Sequence, residues 1–217
     1  MSKSNPLSTS DSGKKLWKRS FFLLSAIIIL LAGGITGYIC YFRNIRKLPP
    51  PPDISYVIPH LRHGDVILRS GVGLWSKLFR DFCPADQRFS HAGIVCVEPD
   101  GGIKVLHSEG DDISGEGYVH LVSLEKFVND SEAVGIVRLK HIDPDLFVRN
   151  AKSYSGRPFD WKFNTADDSA VYCTELVNLA LKKCDPGLSM KIHRDIIPVD
   201  SCLDPEIFTE IPLVPVK

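Results

Sequence analysis

A cysteine at position 173 and a histidine at position 91, 82 residues apart, are the two side chains in this sequence best suited to do chemistry together. Cys173 stands in Tyr172-Cys173-Thr174-Glu175-Leu176-Val177. Leu176, Val177, Ala180, Leu181 and Cys184 follow it at offsets of 3, 4, 7, 8 and 11, which is one face of an amphipathic helix. Ser169 is the expected N-cap, which would put Cys173 in the first turn. Unpaired backbone N–H groups and the helix dipole favour a thiolate there. His91 lies near the start of Phe89-Ser90-His91-Ala92-Gly93-Ile94-Val95, a strand-like run. A thiol at a helix start and an imidazole on a strand are the two halves of a cysteine–histidine nucleophile. Taken singly, each has a plainer reading: a small core residue and a hydrogen-bonded structural histidine.

A third polar group would orient the imidazole, and the hairpin after His91 supplies two candidates. Strands at Ser90–Val97 and Ile103–Ser108 flank the turn Pro99-Asp100-Gly101-Gly102. A three-residue loop, residues 99–101, pairs Glu98 with Gly102, so that facing residues sum to 200. His91 then faces Glu109, and His107 lies on its diagonal on the same face of the sheet. A shift to a sum of 198 would set His107 directly opposite, and odd sums would turn both residues away. His107 and Glu109 therefore both stand as orienters at this point. Glu175, off the apolar stripe, reads as a helix-surface charge, and His60, His63, His120, His141 and His193 have no partner motif.

The elements that must hold these residues follow in order. Residues 1–20 read as a disordered polar tail. Residues 21–42 carry no charge and, at about 1.5 Å per residue, reach roughly 33 Å, enough to cross a bilayer. A cleaved signal peptide is the rival reading, but the run is long for one and no A-x-A site closes it. Lys14, Lys15, Lys18 and Arg19 before the span outnumber Arg43, Arg46 and Lys47 after it. That bias favours a single-pass protein with its catalytic domain outside the cytoplasm. Residues 43–53 form a basic, proline-rich linker in which Pro49–Pro52 is a stiff spacer. Residues 54–217 are the domain. Strands are expected at Val66–Leu68, Val119–Val122 and Ala133–Leu139, and helices at Leu74–Phe82 and from Pro144 to about Tyr154. The segregation of strands and helices predicts an α+β fold with an antiparallel sheet.

Composition excludes several classes. Twenty-six basic and 26 acidic side chains balance, with no long like-charge block, so nucleic acid is not an expected partner. The six cysteines show no C-x-x-C pair or zinc-finger spacing. Cys83, Cys96, Cys184 and Cys202 read as buried thiols, with a disulfide among them left open.

Gly64-Asp65-Val66-Ile67, Ser90-His91-Ala92-Gly93-Ile94-Val95, Val105-Leu106-His107 and the Cys173 motif stand in a telling order. Together they resemble the circularly permuted papain-like cysteine hydrolases, the YiiX/YebB type of the NlpC-like superfamily, in which the histidine precedes the cysteine. Pro158-Phe159-Asp160 and Ile197-Pro198-Val199-Asp200 match the same group. The resemblance implies Cys173 as nucleophile, His91 as base and an orienting residue on the next strand. His107 takes the position of a second histidine in the related lecithin–retinol acyltransferase branch, whereas a glutamate is commoner in the YiiX type. On that resemblance His107 is chosen as orienter over Glu109.

The resulting expectation is a membrane-anchored cysteine hydrolase, an amidase or peptidase or else an acyltransferase, acting on an amide or ester of envelope or lipid-linked origin. A non-catalytic binding module on the same scaffold is the alternative. A metal site built from His91, His107 and Cys173 lacks local ligand spacing, so no metal or other cofactor is expected.

Overall fold

Val66-Ile67-Leu68 is apolar at successive positions because both faces of the strand it forms are covered. The computed structural model describes residues 10–45, 52–111, 114–129 and 131–213. Six antiparallel strands form one sheet: β1 (Val66–Gly71), β2 (His91–Val97), β3 (Ile103–Gly110), β4 (Gly117–Ser123), β5 (Ser131–Leu139) and β6 (Phe208–Ile211). Their order across the sheet is β4-β3-β2-β1-β5-β6. Helices α2 (Leu74–Phe82), α3 (Leu124–Val128), α4 (Pro144–Lys152) and α5 (Cys173–Cys184) complete the unit. The architecture is the expected α+β with an antiparallel sheet.

The two cores follow the period-two alternation of the strands. Val66, Leu68, Ala92, Ile94 and Leu106 face Phe147, Val148 and Ala151 of α4 and Leu176, Val177, Ala180 and Leu181 of α5. Ile67, Val95, Val105, Val122 and Ile136 pack on the other face with Phe127 of α3 and Val57. Each fully buried aliphatic side chain contributes about 1.5–3 kcal/mol, so the α5 stripe alone fixes that helix on the sheet.

Of the registers open to the β2–β3 hairpin, the structure has the one that follows from a three-residue loop. Ile94 pairs with Leu106 and Val97 with Ile103, each pair summing to 200, and Glu98 N–H donates to the Gly102 carbonyl at 2.8 Å. Gly64, at φ +82°, lets the chain turn into β1 where an added Cβ would lie 2.6 Å from Pro144 Cβ. Asp65 beside it is buried and takes a bidentate pair from Arg138, with Nε donating at 2.7 Å and Nη2 at 2.8 Å. This motif of the resemblance is thus a brace for the sheet.

A separate unit, Met1–Leu48, holds helix α1 (Ser10–Ile45). Phe21–Tyr38 is its apolar stretch, with a mean hydropathy of 2.1 and none of it buried. Ser25 and Thr36 donate their hydroxyls to carbonyls one turn back, at 2.9 and 2.8 Å. Residues 10–20, expected in a disordered tail, are helical: once the apolar run has nucleated a helix, each added residue gains a hydrogen bond. Residues 1–9 and Pro49–Pro51 of the expected tail and spacer lie outside the described residues.

Candidate active site

Cys173 is the first residue of α5, three positions nearer its cap than Ser169 capping would give. Ser169 turns back on Asp167 instead, its N–H and hydroxyl both donating to that carboxylate at 2.9 Å. The cap is Tyr172 in extended conformation, and Glu175 completes a capping box by accepting the Tyr172 N–H at 3.3 Å. Glu175 is therefore no surface charge; it is 1 % exposed. Burial first, then Asp160, Asp168 and Asp167, push its carboxyl up to about 7 against the Tyr172 amide.

The two neighbours of Cys173 are both pinned to Ile197. The Ile197 N–H donates to the Tyr172 hydroxyl at 2.9 Å, and the Thr174 hydroxyl donates to the Ile197 carbonyl at 2.6 Å. Three residues on, the Asp200 carboxylate accepts the Ala85 and Asp86 amides at 2.8 and 3.2 Å. The segment from Ile197 to Asp200 so ties α5 to the loop leading into His91.

His91 opens β2 and shares a face with Arg69, His107 and Glu109. His91 Nε2 and His107 Nδ1 stand 2.9 Å apart, with the rings nearly perpendicular at 87°. Phe127 packs against both imidazoles, its centroid 5.7 Å from His91 and 5.3 Å from His107. The Arg69 guanidinium lies 5.0 Å above the same Phe127 ring, donates to its carbonyl at 2.8 Å and forms an ion pair with Glu109. The register thus brings both orienter candidates to His91's face: His107 meets the imidazole and Glu109 meets Arg69. His120, opposite His107 on β4, stacks on it at 4.7 Å. Arg69 and His120 were not singled out from sequence. A charge closing an otherwise apolar strand run was the available signal for Arg69, and only the β3–β4 pairing reveals His120.

Burial governs the electrostatics. It lowers His91 well below the usual imidazole range, with Arg69, His107 and His120 adding to the effect. It pushes His107 down to about 3, again with His120, Arg69 and Lys126 contributing. Cys173, expected to favour the thiolate, is raised instead: burial outweighs the amides of Ala92 and Thr174 and the charge of Arg69. The resting groups are a neutral thiol and neutral imidazoles.

Cys173 and His91 reach one small cavity of about 50 Å³ together with Ser90, Phe159, Phe163 and Pro198. They come to it from different sides, since α5 packs on the face of Ala92 whereas the His91 ring lies with Phe127. They meet at the N-terminal end of β2, and among the described residues no hydrogen bond joins the Cys173 thiol to His91. Catalytic hydrogen bonds are often long before substrate arrives. A larger cavity of about 470 Å³ adjoins, lined by Arg69, Trp75, His91, His107, Glu109 and Trp161. Asp160 shapes its wall, accepting the Lys162 and Asn164 amides at 2.8 and 2.5 Å and curling the loop that carries Phe159 and Trp161. Cys83, Cys96, Cys173, Cys184 and Cys202 are all free thiols; Cys40 lies outside the described side chains.

The fold resembles the crystal structure of metalloprotein yiiX from Escherichia coli O157:H7, with a TM-score of 0.58 at 15 % identity over 71 % of this chain and 98 % of that one. No curated protein matches the chain in sequence. The profile of the permuted papain-like amidase enzymes of the YaeF/YiiX type matches residues 60–193, which takes in His91, His107, Glu109 and Cys173. That match extends over more than half of the chain and has the histidine-before-cysteine order of the site, and on it the protein belongs to the permuted papain-like amidase family C92.

Proposed function

We propose that the protein is a membrane-anchored cysteine hydrolase in which Cys173 attacks the carbonyl of an amide or ester, His91 is the base and His107 orients it. The observation carrying this reading is the 2.9 Å contact between His91 Nε2 and His107 Nδ1 beside a cavity that also contains Cys173. With Nε2 committed to His107, Nδ1 is the nitrogen left to serve the thiol. For Nδ1 to accept a proton, the His91 proton must sit on Nε2 and be donated to His107 Nδ1. His107 then carries its own proton on Nε2, a buried atom with no partner of its own.

The step follows from these tautomers. As Sγ bonds to the substrate carbonyl carbon, the thiol proton passes to Nδ1, and the carbonyl π electrons move to oxygen. The Cys173 N–H, at the helix start, donates to that oxyanion. Collapse breaks the bond to the leaving nitrogen or oxygen, which takes the proton from Nδ1 and leaves a thioester. Water or an acceptor alcohol or amine, deprotonated by His91, then releases the acyl group. Because His107 is neutral, it steers the imidazolium without the charge stabilisation that a carboxylate would add. Glu109 offsets Arg69 so that the cleft does not oppose the imidazolium with an unpaired cation.

The exposed apolar stretch Phe21–Tyr38 supports a retained single-pass anchor, with the domain outside the cytoplasm and acting on envelope or lipid-linked substrates. The test is an electrophilic amide or ester probe on the full-length protein. Cys173→Ala should lose all acylation while its melting temperature is kept; acylation persisting in that variant would overturn the assignment.

The fold neighbour's description as a metalloprotein poses the question of an ion in this chain. His91, His107 and Glu109 fit one: a ligand atom from each lies within 4.8 Å of the others. Bound there, an ion would supply Lewis-acid charge, and no step above requires it.

A further inference from the structure

The hairpin register puts two imidazoles and a carboxylate on one face at the wall of the larger cavity. Metal ligation needs donor atoms that converge, and these do: His91 Nε2 and His107 Nδ1 face each other at 2.9 Å, and a ligand atom from each of His91, His107 and Glu109 lies within 4.8 Å of the others. His107 is 1 % exposed and its Nε2 has no partner, so this ring is held with Nδ1 turned to His91. Glu109 adds the negative charge that a divalent ion needs, and the cavity leaves room for a water as fourth ligand.

We infer that His91 Nε2, His107 Nδ1 and Glu109 form a site for a divalent cation of the zinc class, and that its occupation switches the enzyme off. The ion takes the place of the hydrogen between the two rings. Two nitrogens each about 2.0–2.1 Å from a tetrahedral ion lie roughly 3.3 Å apart, so the 2.9 Å pair has to open by only a few tenths of an ångström. Glu109 exchanges Arg69 for the ion, which leaves the guanidinium on the Phe127 carbonyl and ring. The proton balance is closed. Coordination moves the Nε2 proton of His91 to Nδ1, none is released, and His107 keeps its proton on Nε2. A protonated Nδ1 cannot accept the Cys173 proton, so the thiol loses its base. The inhibition rests on His91 being that base; the binding does not.

The experiment is a cobalt(II) titration of the full-length protein in detergent micelles, read by visible d–d absorption, with zinc displacing the cobalt. One ion should bind saturably to wild type and equally to Cys173→Ala, which has no turnover to confuse the reading. His107→Ala and Glu109→Gln should each weaken binding at least about tenfold, as loss of a direct ligand costs no less than loss of its supporting shell. Glu109→Gln is near-isosteric at a partly exposed position and serves where His107→Ala does not fold. No saturable uptake below millimolar cobalt overturns the site, as does unchanged affinity in the folded variants. A thiolate–cobalt charge-transfer band that vanishes in Cys173→Ala overturns the ligand set. Zinc at the level that saturates Cys173→Ala should abolish probe acylation of wild type, reversibly with chelator. Binding without that loss overturns the switch alone, whereas a wild type never acylated by the probe, with or without zinc, fails the hydrolase reading and leaves the binding result intact.

Discussion

At the Cys173 thiol, burial and the helix N-terminus pull in opposite directions, and burial wins. A preformed thiolate–imidazolium pair would give an alkylation rate that levels off at neutral pH. A neutral pair predicts that the iodoacetamide rate at Cys173 keeps climbing above pH 9, the ordinary thiol range; a plateau near neutrality would rule the neutral pair out. Cys173 should still be modified ahead of Cys83, Cys96 and Cys202, which are buried and line neither of the two cavities described, as mass mapping of the labelled peptides would report. Glu175 offers a second pH test. Its carboxyl is raised from 4.5 to about 7 in the fold, so the folded chain holds the proton more tightly than the unfolded one. The resulting stability is complete below about pH 4.5 and is lost as pH rises through about 7. Glu175→Gln keeps an oxygen for the Tyr172 N–H but cannot ionise. The melting temperature of wild type should therefore fall relative to this variant over that window, and parallel curves would refute the shift.

Among the elements, the loop over the cleft is set by close backbone approach. A Cβ added at Gly110 would lie 2.4 Å from the Trp161 ring and 2.9 Å from Phe159. Gly110→Val should push Phe159 and Trp161 out of the cavity wall, with a loss of about 1–3 kcal/mol in denaturant unfolding and a larger proportional loss in kcat/KM. Equal effects on both would mean the loop serves stability only. The Ile197 clamp is the corresponding device on the nucleophile side. Thr174→Val removes the hydroxyl bond to the Ile197 carbonyl at constant shape and should cost about 1–3 kcal/mol by leaving that carbonyl unmatched, measurable by the same unfolding curves.

For the whole molecule, the sheet works as a partition. α5 delivers the thiol from one face, and the histidines with Arg69 and Glu109 occupy the other. The smaller cavity lies where the two sets meet at the end of β2, and the larger one is lined from the histidine side. The basic bias before the apolar stretch, read with its exposed helix, predicts that protease added to intact cells or spheroplasts cuts the chain beyond Asp53. Cutting only after lysis would put the domain in the cytoplasm.

Much of this was written in local spacing. The α5 stripe, the turn at 99–101 and the apolar strand runs each rest on a short-range rule, helix period, turn chemistry or strand alternation. They predicted a helix with Cys173 in its first turn and, for a three-residue loop, the register summing to 200 with His91, His107 and Glu109 on one face. The order of the motifs along the chain was enough to point to the permuted family. What the sequence could not determine depends on partners far away in the chain. Ser169 looked like a cap because its type is right, yet Tyr172 caps because Ile197 holds its hydroxyl. Glu175 looked like a surface charge because it lies off the stripe, yet it is buried in the fold, where the charges of Asp160, Asp167 and Asp168 help to raise its carboxyl. Which orienter meets His91 turns on Arg69, from a different strand, taking up Glu109. The state of the thiol, too, is set by burial, a sum over every element around it, and only the tertiary structure decides that sum.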